Sequence, residues 1–390
     1  MVSPESTLER VRPLLPVMGI TRIANVTGLD TIGIPVVMVC RPNSRSVAVS
    51  QGKGLTLAAA KASGVMESVE GYHAEHIALP LKYSSYEELR YSHQVADPED
   101  LPKTCDSLFH PNLPLLWIET HDLATTEPVW LPYELAHLNF TLPDLPGTGC
   151  FVVSANGLAS GNHWLEAVSH AICEVVERDA ATLWSLQREA HQQATRLDLD
   201  SVDDPDCRRV LEILQKAGVA VGVWDMTTEI GLPVFACLIA ERERNPLRPL
   251  PGGFLFGCHP VREIALLRAL TECAQERLAL ISGSRDDLYW NYYEFHGNWE
   301  HWEKQRDLLL ETSGTRRFED APTFHGDTLL DDVRWEIERL HSAGFQQILA
   351  LDLTKPEFGL PVARVVIPGL EPKFREKKYR PGKRARARMA

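Results

Sequence analysis

The chain has 390 residues, 44% hydrophobic and 24% charged, with 25 Gly and 26 Pro, which excludes disordered, collagen-like and fibrous proteins and allows two or three domains or one elaborate catalytic domain. The net charge of −13 is uneven: from Lys373 onward nine Lys/Arg face Glu376 alone, a local +8, and the remainder carries −21. So acidic a body repels nucleic acid unless it hides a basic patch or binds metal cations.

The opening Met-Val-Ser-Pro-Glu-Ser-Thr has neither a basic n-region nor an apolar h-region. No stretch approaches the ~18 uninterrupted apolar residues of a membrane span, so a cytoplasmic protein is expected. Eight cysteines are scattered without a C-x-x-C pair, which argues against a zinc ribbon or a disulfide framework. Residues 34–39 and 46–50 read as the strands of a hairpin. Gln51-Gly52-Lys53-Gly54 then makes a tight loop, and 56–76, rich in Ala, Lys, Glu and Met without Pro, reads as a helix with Thr56 as its N-cap. After a charged, Pro-marked stretch over 80–147, a strand at 150–154, a glycine-containing loop at 156–162 and a helix over 163–186 repeat that order. Strands at 219–224 and 234–240, a glycine-rich loop or strand at 252–257, and a helix from His259-Pro260 to 281 repeat it again. Trp/Tyr-rich and charged segments fill 289–345, followed by strands at 347–353 and 361–367. Hairpins mixed with long helices predict an α+β (mixed α/β) fold and not a regular parallel βαβ array. Residues 1–371 are expected to form the body, and 372–390, with Pro, Gly and like charges, a mobile basic tail.

On the first long helix Glu67 and Glu70 fall about 40° and −20° from Ser63, opposite Val65, Val69 and Tyr72. On the second, Glu166, His170, Cys173, Glu174 and Glu177 share one side, and Val168, Ala171, Ile172 and Val175 the other. The third offers Glu263, then Glu272 and Gln275 flanked by Arg268 and Arg277. E-x-x-E spacing recurs by chance on solvated faces because Glu is a strong helix former. Such faces normally carry Lys or Arg at i±4, however, whereas Glu67 has Ser63 and Gly71 there and Glu70 has Met66 and Ala74. Carboxylates among small neighbours point to a ligand that brings positive charge, and Mg2+ with substrate phosphates fits. No Walker A loop, Rossmann glycine pattern or kinase motif set is present. Gln51-Gly52-Lys53-Gly54 reads equally as a phosphate loop and as a turn with an exposed lysine. Two alternatives stay open: a di-iron site, for which Glu70-x-x-His73 with Glu166 and His170 offers part of the pattern, and a non-catalytic scaffold that presents a peptide to another enzyme.

Several blocks resemble the YcaO family in order and spacing. They are Gly52-Lys53-Gly54, Ala62-Ser63 and Glu67-x-x-Glu70; Asn156-Gly157-Leu158-Ala159-x-Gly161-Asn162-x-x-x-Glu166-Ala167 with Glu174-x-x-Glu177-Arg178-Asp179; and His259-Pro260, Arg268-Ala269-x-x-Glu272 and Gln275-x-Arg277. Asp352-Leu353-Thr354 and Ile367-Pro368-Gly369-Leu370-Glu371 extend the resemblance over nearly the whole chain. It implies a YcaO-like fold with several mixed or antiparallel sheets and long acidic helices lining a nucleotide cleft. It also implies an ATP- and Mg2+-dependent enzyme that phosphorylates a peptide backbone amide oxygen, which a nucleophile then replaces. A Cys, Ser or Thr side chain gives an azoline, a sulfur donor a thioamide, an amine an amidine. Residue by residue, the resemblance implies a Mg2+ shell of Glu67, Glu70, Asn162, Glu166, Glu174 and Glu177. Glu67, Glu70, Glu177 and Arg178 are the implied catalytic set. Ser63 and Arg178 are implied nucleotide contacts, with Arg277, Arg285 and Arg22 as further phosphate contacts, while Lys53 shapes its loop.

Azoline-forming members commonly end in a Pro-rich tail, whereas this chain ends in a basic one. The early block Gly19-Ile20-Thr21-Arg22-Ile23-Ala24-Asn25-Val26-Thr27-Gly28-Leu29-Asp30 most resembles the branch that works with TfuA proteins and installs thioamides. Thioamidation therefore ranks ahead of azoline formation by a cyclodehydratase. The expected partners are a precursor peptide or protein and a separate TfuA-like or leader-binding protein, with no nucleic acid and no membrane. Oligomeric state is open, with a homodimer among the options.

Overall fold

A computed structural model describes residues 2–243, 250–372 and 379–389. In chain order its α-helices are α1 (Pro4–Val11), α2 (Leu57–Glu75), α3 (Tyr86–Leu89), α4 (Trp164–Ser185), α5 (Glu189–Ala194), α6 (Pro205–Lys216), α7 (Arg262–Ser282), α8 (Trp290–Gly297), α9 (Trp299–Glu311), α10 (Leu329–Ser342) and α11 (Lys383–Met389). The strands are β1 (Arg22–Asn25), β2 (Val36–Cys40), β3 (Val49–Lys53), β4 (Leu81–Ser84), β5 (Leu115–Asp122), β6 (Pro128–Pro132), β7 (Leu158–Ser160), β8 (Val219–Asp225), β9 (Val234–Glu241), β10 (Gly253–Cys258), β11 (Leu349–Asp352) and β12 (Val362–Val366). This is the mixed α+β architecture with antiparallel sheets that the alternation of hairpins and helices predicts. The chain forms two compact units, Met1–Ser68 with Arg188–His325, and Val69–Gln187 with Gly326–Ala390.

The first unit holds two three-stranded antiparallel sheets, ordered β1-β2-β3 and β10-β9-β8. The expected hairpin is β2–β3, running from Val36 opposite Lys53 to Cys40 opposite Val49. Gln51-Gly52-Lys53, read as a loop, instead continues the strand. Its glycine serves a close approach: a Cβ on Gly52 would lie 2.1 Å from Ala60 O and Gly64 N in α2, so only glycine lets the strand pass the helix backbone. Thr56 caps α2 as predicted, its Oγ1 accepting the Ala59 N–H at 3.1 Å. α7 packs on β9 and β10, joining Ala265, Leu266, Ala269, Leu270 and Cys273 to Phe235, Cys237 and Ile239 in one apolar core.

The second unit is built on a six-stranded antiparallel sheet, ordered β4-β5-β11-β12-β7, with β6 also paired to β5. α4 lies on β12 and β7 and buries Val168, Ala171, Ile172 and Val175, the apolar face read from periodicity. The strand expected at 150–154 does not form beyond a single bridge at Phe151. The buried carboxylate of Glu134 accepts the N–H groups of Gly149, Cys150 and Phe151 instead, so they do not join a ladder. The strand appears later, as β7, inside the segment read as a loop.

The tail also differs from expectation. Of the predicted mobile segment, residues 373–378 and 390 lie outside the described residues, but 379–389 is bonded to the second unit and ends in α11. One of its basic groups, Arg384, is held by the buried acid Asp179, as detailed below. Among the described residues no helix is long and apolar enough to cross a membrane.

Candidate active site

In the first unit, β3 and α2 place Glu67 at the surface, where its Oε2 accepts the Gln51 N–H at 3.1 Å. The Gln51 side chain is buried and its Nε2 has no hydrogen-bond partner, an unsatisfied donor that an acceptor oxygen would relieve. Ser63 is half-buried one turn before Glu67. Lys53 forms an ion pair with Glu272 of α7, whose Oε2 accepts from Gln275 Nε2 at 3.2 Å. Arg22, the first residue of β1, is exposed. Arg285 is half-buried and grips Asp287, with Nε 2.8 Å from Oδ1. Burial works against its charge, but the carboxylates of Asp287 and Glu67 outweigh it and hold the guanidinium more basic than usual. Arg285 and Glu67 thus belong to one electrostatic neighbourhood.

Arg277 requires a correction. Its side chain is 0% exposed; Nε and Nη2 clasp Asp30 at 2.9 and 3.0 Å, and Nη2 also reaches Glu241. A guanidinium so enclosed ties the loop at Asp30, β9 and α7 of its own unit together. It is not presented to a phosphate.

In the second unit, Glu70 Oε1 accepts both the N–H and the hydroxyl of Ser160, at 2.8 and 2.7 Å. Ser160 ends β7, and the chain then turns through Gly161 and Asn162 into α4. The Asn162 N–H donates to Glu166 Oε2 at 2.8 Å. Farther along α4, Arg178 lies between two acids, with Nη2 3.1 Å from Glu174 Oε1 and Nε 3.8 Å from Glu177 Oε1. Sequence reasoning missed Ser160 because a hydroxyl ninety residues from its carboxylate leaves no local signal. Gly157, in the left-handed region at φ 76°, brings this loop against β12: a Cβ there would lie 2.2 Å from Val365 O.

The di-iron alternative does not survive the geometry. His73 is 0% exposed, with Nδ1 2.7 Å from Val69 O and its ring against Phe358. Burial holds its pKa down to about 4. It is a neutral core histidine whose ring packs against Phe358. Nor do the described residues contain any group of three or more His, Cys, Asp or Glu assembled to hold a metal. The shell implied by Glu67, Glu70, Asn162, Glu166, Glu174 and Glu177 is therefore not a closed protein cage, because these carboxylates are turned to nearby N–H, hydroxyl and guanidinium donors. The donor set is nonetheless all oxygen and mostly carboxylate. That chemistry suits Mg2+, which retains waters and binds through one or two carboxylates plus phosphate oxygens.

Comparison with known proteins agrees with this reading. The sequence model of the YcaO cyclodehydratase family, described as ATP- and Mg2+-binding, matches residues 51–371. An uncharacterized protein encoded in the tfuA 3′ region of Rhizobium leguminosarum bv. trifolii is 34% identical over 95% of this chain and 88% of its own length. An uncharacterized protein of Methanothermobacter thermautotrophicus is 32% identical over 95% of this chain and 94% of its own. Among solved structures, the YcaO protein of Methanopyrus kandleri bound with AMPPCP and Mg2+ superposes with a TM-score of 0.74 at 24% identity, covering 95% of this chain and 91% of that one. A heterocyclase in complex with substrate and cofactor gives 0.78 at 23% identity over 95% of this chain. The present chain spans about half, 52%, of that heterocyclase's length.

Proposed function

Because this chain belongs to the YcaO family, we propose that it uses ATP and Mg2+ to phosphorylate a peptide backbone amide oxygen, which a sulfur donor then replaces to give a thioamide. The observation that carries the reading is Arg178 of α4 set between the carboxylates of Glu174 and Glu177. Glu70, Asn162, Glu166, Glu174 and Glu177, with Glu67, would hold the metal. When bound, Mg2+ neutralises triphosphate charge and aligns it for transfer. Arg178, spaced by Glu174 and Glu177, contributes fixed positive charge toward the phosphates. Arg285, Ser63 and Arg22 supply further contacts. The amide oxygen bonds to the γ-phosphorus as the bond to ADP breaks. A hydrosulfide equivalent from the donor then adds to the amide carbon, and phosphate leaves with the former amide oxygen.

The tfuA-region relative supports the thioamide product and a TfuA-like partner, with a precursor peptide or protein as substrate. The family description as a cyclodehydratase supports a second reading, azoline formation on Cys, Ser or Thr. Both share the ATP chemistry. Replacement of Glu70 or Glu177 by Gln is expected to weaken Mg2+-dependent nucleotide binding at least about tenfold, on the scale of one lost charge-assisted contact, while leaving thermal unfolding intact. Isothermal titration with a non-hydrolysable ATP analogue checks this; unchanged affinity in both variants rejects the site.

A further inference from the structure

The basic segment 379–389 is fastened to the second unit through two buried acids. Asp179 is 0% exposed. Arg384 grips it with two prongs, Nε to Oδ1 at 3.0 Å and Nη2 to Oδ2 at 2.9 Å, and the Glu371 N–H adds a third donor at 3.0 Å. The carboxylate of Glu371, itself buried, accepts from the Tyr379 hydroxyl and from the N–H groups of Gly382 and Ala385 at 3.0 and 2.8 Å. Gly382 is required for this approach, since a Cβ there would lie 2.7 Å from a Glu371 oxygen. Lys383 reaches Asp100 at 2.6 Å, the Arg384 guanidinium lies over the Phe345 ring, and Ala385 is fully buried. This is a docked clasp, and its grip falls on α4.

Asp179 follows Arg178 and stands two residues after Glu177. At 100° per residue it projects about 200° away from Glu177, from the rear of the helix. Pinning the rear adds to the packing of Val168, Ala171, Ile172 and Val175 in holding the rotation of α4 about its axis, and that rotation decides where Glu174, Glu177 and Arg178 point. Displacements of about 1 Å in such groups can change rates by on the order of a hundredfold. We propose that Arg384 is a positioning residue: by holding Asp179 it sets the α4 acids and Arg178 for the Mg2+-nucleotide. This rests on the functional reading above, in which those α4 groups serve Mg2+-ATP.

The test uses the full chain, a fluorescent ATP analogue and a Mg2+ titration, with melting curves to confirm folding. Arg384→Met is expected to raise the Mg2+ concentration for half-saturation about tenfold. Arg384→Lys should recover part of that loss, because an ammonium restores the charge without the planar fork. Arg386→Met, an exposed residue of the same helix, should match the unaltered chain. Should Arg384→Met fail to fold, Asp179→Asn carries the same comparison with its shape conserved. Wild-type Mg2+ dependence in the folded Arg384 or Asp179 variant, while Glu177→Gln has lost binding, overturns the clasp alone. Wild-type binding in Glu177→Gln overturns the functional reading and the clasp's purpose with it.

Discussion

Arg277 is enclosed on Asp30 and Glu241, whereas Arg285, just beyond the same helix, keeps part of its surface and senses Glu67. Their substitutions should therefore separate. Arg277→Met leaves two acids without their cation and is expected to cost about 3–5 kcal/mol of stability, with nucleotide affinity of the folded protein unchanged. Arg285→Met should change stability by no more than about 1 kcal/mol and weaken nucleotide binding. Urea unfolding and analogue titration on both variants distinguish these outcomes. Histidines supply a pH signature. Burial holds His73 and His137 near a pKa of about 4, below the ordinary 6.5, so the unfolded chain binds protons more readily between those values. Stability is then full above about pH 6.5 and falls as pH drops toward 4, by about 2 kcal/mol per histidine at pH 5. His73→Phe should flatten that slope in urea titrations at pH 7 and pH 5; an unchanged slope contradicts the assignment. Neither arginine's fate was legible beforehand, since Asp30 lies 247 residues from Arg277 and no spacing rule spans that distance.

Helices α2, α4 and α7 were legible because their 3.6-residue periodicity and caps are local properties. The segment 150–154 misled for an equally physical reason. Phe151-Val152-Val153 has strand composition, but a strand also needs a neighbour, and the Phe151 N–H goes to the Glu134 carboxylate, while the Val152 N–H goes to Pro102 O. Gly52 misled differently: a glycine beside Lys53 reads as a phosphate loop, yet it serves strand-on-helix packing. Gly52→Ala would press on the backbone of Ala60 and Gly64 and is expected to destabilise by about 1–3 kcal/mol. Gly64→Ala, whose added carbon meets its nearest neighbours at 3.1 Å, should cost less. A urea midpoint lower for Gly64→Ala than for Gly52→Ala would contradict this packing account.

At the scale of the whole chain, the charge asymmetry divides into two uses. Part of the acidity is the carboxylate set on α2 and α4, and part is the pair Asp179 and Glu371 that receives the basic segment. Part of the basic tail's charge is thus paired with acids of the body, Arg384 with Asp179 and Lys383 with Asp100, a pairing that composition alone cannot reveal. The central claim concerns product chemistry: ATP-driven replacement of a backbone amide oxygen by sulfur. Mass spectrometry of a precursor peptide co-expressed with this chain and a TfuA-like partner tests it most directly. The account predicts the mass increase of one oxygen-for-sulfur exchange, lost with Glu177→Gln. Loss of one water with no sulfur gained, or an unmodified peptide with no ATP consumed, would contradict it.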